Sequence, residues 1–214
     1  VCVNDVLGMW AWLPAEGTAA PQLQVYFNAF VPTVYACLAQ AYAAPFAVDG
    51  EEFWCALQFV TAAKARWFGD EAARDAIMGC DDAASILEVG RGLVHFEECT
   101  WQGRRFGAAY RSIYNKFAQN PELAAVLLET QHAHLAEASE GSTTWGIAIS
   151  MEEALFGVEW EGTNLLGSVL MAVRVALRNG WCSMVDTEPP TEYGGSWCAT
   201  FNGSIAHMGI GVHE

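Results

Sequence analysis

Only two lysines occur in the chain, Lys64 and Lys116. A lysine amine is a nucleophile once it loses its proton, and a point charge for phosphate or carboxylate while it keeps it. Lys64 falls on one helical face with Phe53, Leu57 and Val60, so a salt bridge and a ligand contact are both open to it. Arg104, Arg105 and Arg111 follow along a second helical stretch. Ion pairing is a ready role for Arg91, Arg105 and Arg111, because acidic residues are abundant. His132 and His134 stand at i,i+2, which puts them on different faces of a helix. No acidic or cysteine pattern completes a ligand set around them, so no metal is expected. Glu152, Glu153, Glu159 and Glu161 read as charged surface rather than a cation site. The 7 cysteines are odd in number and form no Cys-x-x-Cys pair. Neither a disulfide scaffold nor a zinc site follows, and reduced thiols of a cytoplasmic protein are expected. Only Cys182 and Cys198 are candidates for bridging.

The whole chain must supply the fold that positions these groups. It has 214 residues, 53% hydrophobic and only 16% charged, enough to bury a core without disulfides or metal. Its formal charge is −15, from 10 basic and 25 acidic residues. That field repels polyanions and argues against nucleic-acid or anionic-membrane partners. No stretch approaches the roughly 18 uncharged apolar residues of a spanning helix, and no secretory signal opens the sequence. A small-molecule ligand is the expected partner, with the protein a monomer or a homodimer.

Residues 1–34 scatter aromatics among Pro and Gly and are read as strands and loops. Asp49-Gly50 signals a turn. Helices are expected over 51–68, 71–79 with Asp70 as cap, 81–89, 101–118, 121–130 opening on Pro121, and 164–178 stopped by Asn179-Gly180. The pairs Glu51-Glu52 and Asp81-Asp82 read as helix starts. Short strands are expected at 93–96 and 144–149. Residues 179–214 read as an irregular C-terminal extension that packs its aromatics back on a domain of residues 1–178.

Several blocks resemble a known family. FWCALQFVTAAKARWFGDEAARDAIM (53–78), GRGLVHFEECTW (90–101) and RRFGAAYRSIYNKFAQNPELAAVLLET (104–130) come first. LAEAS (135–139), TWGI (144–147) and NLLGSVLMAVRVAL (164–177) follow in the same order. Together they are similar to the YbiA/NADAR family over roughly residues 35–178. The resemblance implies an α+β, mainly α fold, a single compact domain with a few short strands. It also implies a cleft that in relatives cleaves N-glycosidic bonds of ribose phosphates or of ADP-ribosylated guanine.

Family site positions carry over unevenly. Lys64, Arg91, Trp101, Arg105, Arg111, Trp145 and Asn164 match. The family glutamate of the first helix is replaced by Leu57, and the aspartate before the Trp-Gly block by Ser142. Leu87 stands where a lysine is common, and Ala36–Tyr42 replaces a Gly-x-Leu-Ser-Asn-Phe-Tyr motif. Glycosidases commonly use two carboxylates, and neither Leu57 nor Ser142 supplies one. The expectation is a degenerate cleft that binds a small molecule without turnover, through Gln40, Tyr42, Leu57, Gln58, Lys64, Arg91, Trp101, Arg105, Arg111 and Trp145. A less polar, roomier pocket would suit a conjugated aromatic chromophore, making the protein a pigment-binding chromoprotein. The rival is an active N-glycosidase with Lys64 as nucleophile. A protein-interaction or storage role with a vestigial cleft is the third class.

Overall fold

The structure is a computed structural model that describes residues 23–180 and the strand backbones of residues 2–4 and 10–12. Asp49 and Gly50 both take positive φ (54° and 82°), the backbone of a two-residue hairpin turn. They join β4 (Phe46–Val48) to β5 (Glu51–Phe53), paired antiparallel with Val48 opposite Glu51. The helix expected from residue 51 therefore starts only at Ala56, because the hairpin claims the residues before it. The Glu51 carboxylate is no helix start; it accepts from Arg66 at 3.0 Å and from Arg74.

Five helices follow the hairpin. They are α1 (Ala56–Trp67), α2 (Glu71–Met78), α3 (Ala83–Arg91), α4 (Glu98–Gln102) and α5 (Arg105–Gln119). Asp70 caps α2 by accepting from the Ala73 N–H at 3.0 Å, and Asp82 caps α3 through the Ser85 N–H at 2.9 Å. Residues 93–96, expected as a strand, instead turn over: His95 has φ 56° and Val94 N–H donates to the second Asp70 oxygen at 2.9 Å. The single helix expected over 101–118 is two, broken at Gly103. Pro121 opens α6 (Pro121–Glu129), where its missing N–H costs nothing. Asn164, left-handed at φ 52°, precedes α8 (Leu165–Arg178), and the short α7 (Met151–Leu155) carries a Ser150–Glu153 capping box.

A four-stranded sheet runs in the order β1 (Cys2–Asn4), β2 (Trp10–Trp12), β3 (Gln24–Phe27), β6 (His134–Glu137). β3 and β6 are parallel, with Phe27 opposite Glu137. Val25, Phe27 and Leu135 line one face of this pair and bury against the main core, which includes residues of α1, α5 and α8. Ala136 faces the other way, toward a small cluster of Ile147, Ile149 and Ala154. The segment 144–149, expected as a strand, is a turn and bend with a single isolated bridge, Ala148 to Glu140. Its Gly146 lies so close to β6 that a Cβ would come within 2.6 Å of the Glu137 carbonyl oxygen. The protein is thus mainly helical with a few short strands. The expected packing of residues 181–214, with Cys182 and Cys198, lies outside the described residues.

Candidate functional site

Lys64 sits near the end of α1, facing the last turn of α3. The two helices touch at Gly90, where a Cβ would come 2.5 Å from Thr61 Cγ2. This close approach lets Lys64 Nζ donate to the Gly90 carbonyl at 3.0 Å. The turn after α3 lays Phe96 over the ammonium, its ring centroid 3.9 Å from Nζ, and Phe68 meets Phe96 edge-on at 5.3 Å. Burial pulls the lysine below its ordinary range; Arg105 pulls the same way and Glu98 opposes.

Arg105 opens α5. It donates to the Glu98 carboxylate of α4 and, at 3.4 Å, to Thr144 Oγ1. Trp101 of α4 is buried, and Trp145, next to Thr144, packs against the main core. Lys64, Glu98 and Arg105 thus share one partly buried patch. Two cations flank the Glu98 carboxylate.

Two buried side-chain nitrogens have no hydrogen-bond partner among the described residues: Gln40 Nε2 and Arg105 Nε. A buried donor left unmade costs about 1–3 kcal/mol, so such groups are normally satisfied by protein, water or ligand. Both belong to residues predicted from the sequence to touch a ligand. Gln40 is 6% exposed, and its own carbonyl accepts from Leu57 N–H at 3.0 Å, which ties it to the start of α1. Tyr42 follows, half-buried, with its ring 5.5 Å from Lys116 Nζ.

The other predicted residues are placed differently. Gln58 is buried with its amide committed to the fold. It accepts from Trp54 N–H at 3.0 Å and donates to the carbonyls of Ile77, Met78 and Cys80 at 3.2–3.4 Å. Arg111 pairs with Asp49 at 2.6 Å, at the hairpin turn. Arg91 is exposed at the end of α3. Leu57 packs its side chain on the core. Ser142 Oγ accepts from the Gly146 N–H at 3.1 Å.

Two carboxylates that the sequence reading did not single out lie beside these residues. Glu98 lies beside Lys64 and Arg105, hidden in the sequence among surface-like acidic residues. Glu137 lies beside Ser142. A Cβ on Gly146 would be 3.3 Å from Glu137 Oε2 and 3.3 Å from Ser142 Cβ. Burial alone pushes the Glu137 carboxyl up to about 7. Among the described residues no group of three or more His, Cys, Asp or Glu could hold a metal ion.

The NADAR domain family matches residues 26–178. An N-glycosidase of Acanthamoeba polyphaga mimivirus is 37% identical over 132 residues, 59% of this chain and 78% of that protein. The N-glycosidase YbiA of Escherichia coli is 29% identical over 133 residues, 62% of this chain and 76% of that protein. The NMR structure of E. coli YbiA superposes with a TM-score of 0.60 at 24% identity, covering 79% of this chain and 92% of that one, which is a likeness of fold. With most of its length matched in sequence and its architecture shared, the chain belongs to the NADAR family.

Proposed function

We propose that the protein binds an acceptor-rich, anionic small molecule of the ribose-phosphate or ADP-ribose class in the cleft around Lys64 and Arg105, without hydrolysing it. The observation that carries this reading is the pair of unpartnered buried donors, Gln40 Nε2 and Arg105 Nε. A phosphate or carbonyl oxygen would satisfy each of them, and the Lys64 ammonium would add charge. The same donors weigh against a purely apolar pigment, which would leave them unmade. Leu57 and Ser142, which offer no carboxylate at the two family positions, support the reading without turnover; Glu98 beside Lys64 and Glu137 beside Ser142 are the acids a hydrolytic reading would use.

A second reading, N-glycoside hydrolysis, is favoured by one observation: Lys64 has its pKa lowered by burial, which eases formation of the neutral amine. The neutral amine would attack C1′ of the ribose and form a Lys64–ribose adduct as the C1′–N bond to the base breaks; the departing base would take up the proton the amine loses, and water would then hydrolyse the adduct, releasing ribose and the free lysine.

Calorimetric titration with ADP-ribose and with ribose 5-phosphate tests the first reading. Arg105→Ala and Lys64→Ala are each expected to weaken ADP-ribose binding about tenfold or more, the loss of one charge-assisted hydrogen bond. Absence of binding, or indifference to Arg105→Ala, would overturn it. Release of free base from an N-glycoside substrate, abolished by Lys64→Ala, would establish the second reading. Visible absorbance with a releasable mass in protein from its natural source would assign the cleft to a pigment.

A further inference from the structure

Lys116 is the other lysine, and it lies wholly inside the core. Its side chain is 0% exposed, and its ammonium donates to the Cys37 carbonyl at 2.7 Å and the Ala39 carbonyl at 2.9 Å. No carboxylate accepts from it among the described residues. The titratable groups around it are the Cys37 and Cys55 thiols and, at ring distance, Tyr42. A buried cation without a counter-charge is expensive, and a methionine would fill the same volume at less cost. The two carbonyls belong to the segment that ends one residue before Gln40.

That segment is held from two sides. Lys116 grips Cys37 and Ala39 from α5, and Leu57 N–H holds the Gln40 carbonyl from α1 at 3.0 Å. The Gln40 backbone is therefore fixed, while its side-chain amide nitrogen is left without a partner. Lys116 and Arg105 stand eleven residues apart on α5, close to three full turns, so they leave the helix on the same side. One helix carries the first unpartnered donor and anchors the segment that carries the second.

We propose that Lys116 is a positioning residue, which holds the Cys37–Gln40 segment so that the Gln40 amide is presented to the ligand. The inference rests on the ligand-binding reading above and names a residue that touches no ligand itself.

A double-mutant cycle tests it, with ADP-ribose as the probe. Gln40→Ala is expected to weaken binding about tenfold, the worth of one buried hydrogen bond to a charged acceptor. Lys116→Met is expected to weaken it by a similar factor, and to cost less than about twofold more in the Gln40→Ala background, because both act through one amide. Additive losses would show that Lys116 acts on the fold at large and would overturn the proposal, as would a Lys116→Met protein that binds normally while Gln40→Ala does not. A Gln40→Ala protein that binds as the wild type, or no binding by any of them, would overturn the ligand reading together with this one. Should Lys116→Met fail to fold, hydrogen exchange on the unaltered protein decides. ADP-ribose is expected to slow exchange at the Ala39 and Tyr42 amides, and no protection there would overturn the proposal.

Discussion

Glu137 shows how much of a residue's chemistry comes from its surroundings. In sequence it is one acid among 25. In the fold it sits on β6, and desolvation holds its carboxyl protonated up to about 7. An unfolded glutamate titrates near 4.3. The folded state therefore binds the extra proton between about 4.3 and 7, and stability falls as pH rises through that window. The stabilisation is present below the unfolded value and is gone above about 7. Glu137→Gln removes the ionisation, so the variant is expected to match the wild type at pH 4 and to exceed it at pH 8 by about 1–3 kcal/mol. Melting curves at the two pH values check this; an offset that does not change with pH would sink it. Lys116 has the opposite sign: burial pulls it down to about 8, so its cost to folding shrinks as pH climbs from there toward the unfolded lysine value near 10.4. Lys64 and Arg105, around which the binding site is proposed, could be singled out in the sequence because the family blocks fix their positions. Glu98 and Glu137 were not, because nothing local distinguishes a desolvated acid from a solvated one.

At the scale of elements, what could be read was what is decided locally. Asp70, Asp82, Pro121 and the Asn179-Gly180 stop each act within one turn of their helix, and α2, α3, α6 and α8 begin and end close to where those residues place them. β6 was missed because its partner, β3, lies more than a hundred residues earlier in the chain. The segment 144–149 was misread because its apolar run fits a strand, while Gly146 and Gly162 allow a tight turn that no periodicity reports. A Cβ on Gly162 would come 2.3 Å from the Gly146 carbonyl oxygen. Close approach also governs the site. Gly90 lets α3 meet α1 and places its carbonyl on Lys64. Gly90→Ala would drive a methyl into Thr61, separating the helices and lengthening the Lys64 contact. The expected cost is about 1–3 kcal/mol, the usual range for overpacking a tight contact. ADP-ribose binding should weaken along with it, and Gly90→Ala/Thr61→Ser, which removes the opposing methyl, should restore both. Failure of that rescue in denaturant titrations would mean that the contact is not what holds α3 in place.

Across the whole molecule, charge sets the terms on which a ligand arrives. The excess is −15, and part of the positive charge is withdrawn from the surface. Lys116 is in the core, and so is Arg174, 6% exposed, which donates to Thr130 Oγ1 at 2.7 Å and the Ala133 carbonyl at 2.9 Å. Arg66, Arg74, Arg105 and Arg111 are each paired with a carboxylate. The remaining acids repel one another, and they repel an incoming anion until it reaches the Lys64–Arg105 patch. Salt screens charges separated by more than about 8–10 Å, while a half-buried contact is screened far less. Two consequences differ from those of a protein held together by surface ion pairs. Raising NaCl from about 20 mM to about 500 mM should stabilise the fold by about 1 kcal/mol, a rise of about 2–4 °C in melting temperature. On the proposed reading, the association rate of ADP-ribose should increase over the same range while its dissociation rate changes little, since the contacts proposed to hold it are the buried donors. Stopped-flow kinetics at three salt concentrations separates the two rates. An association rate that falls with salt would mean that the local positive patch steers the ligand from a distance and outweighs the acidic surface around it.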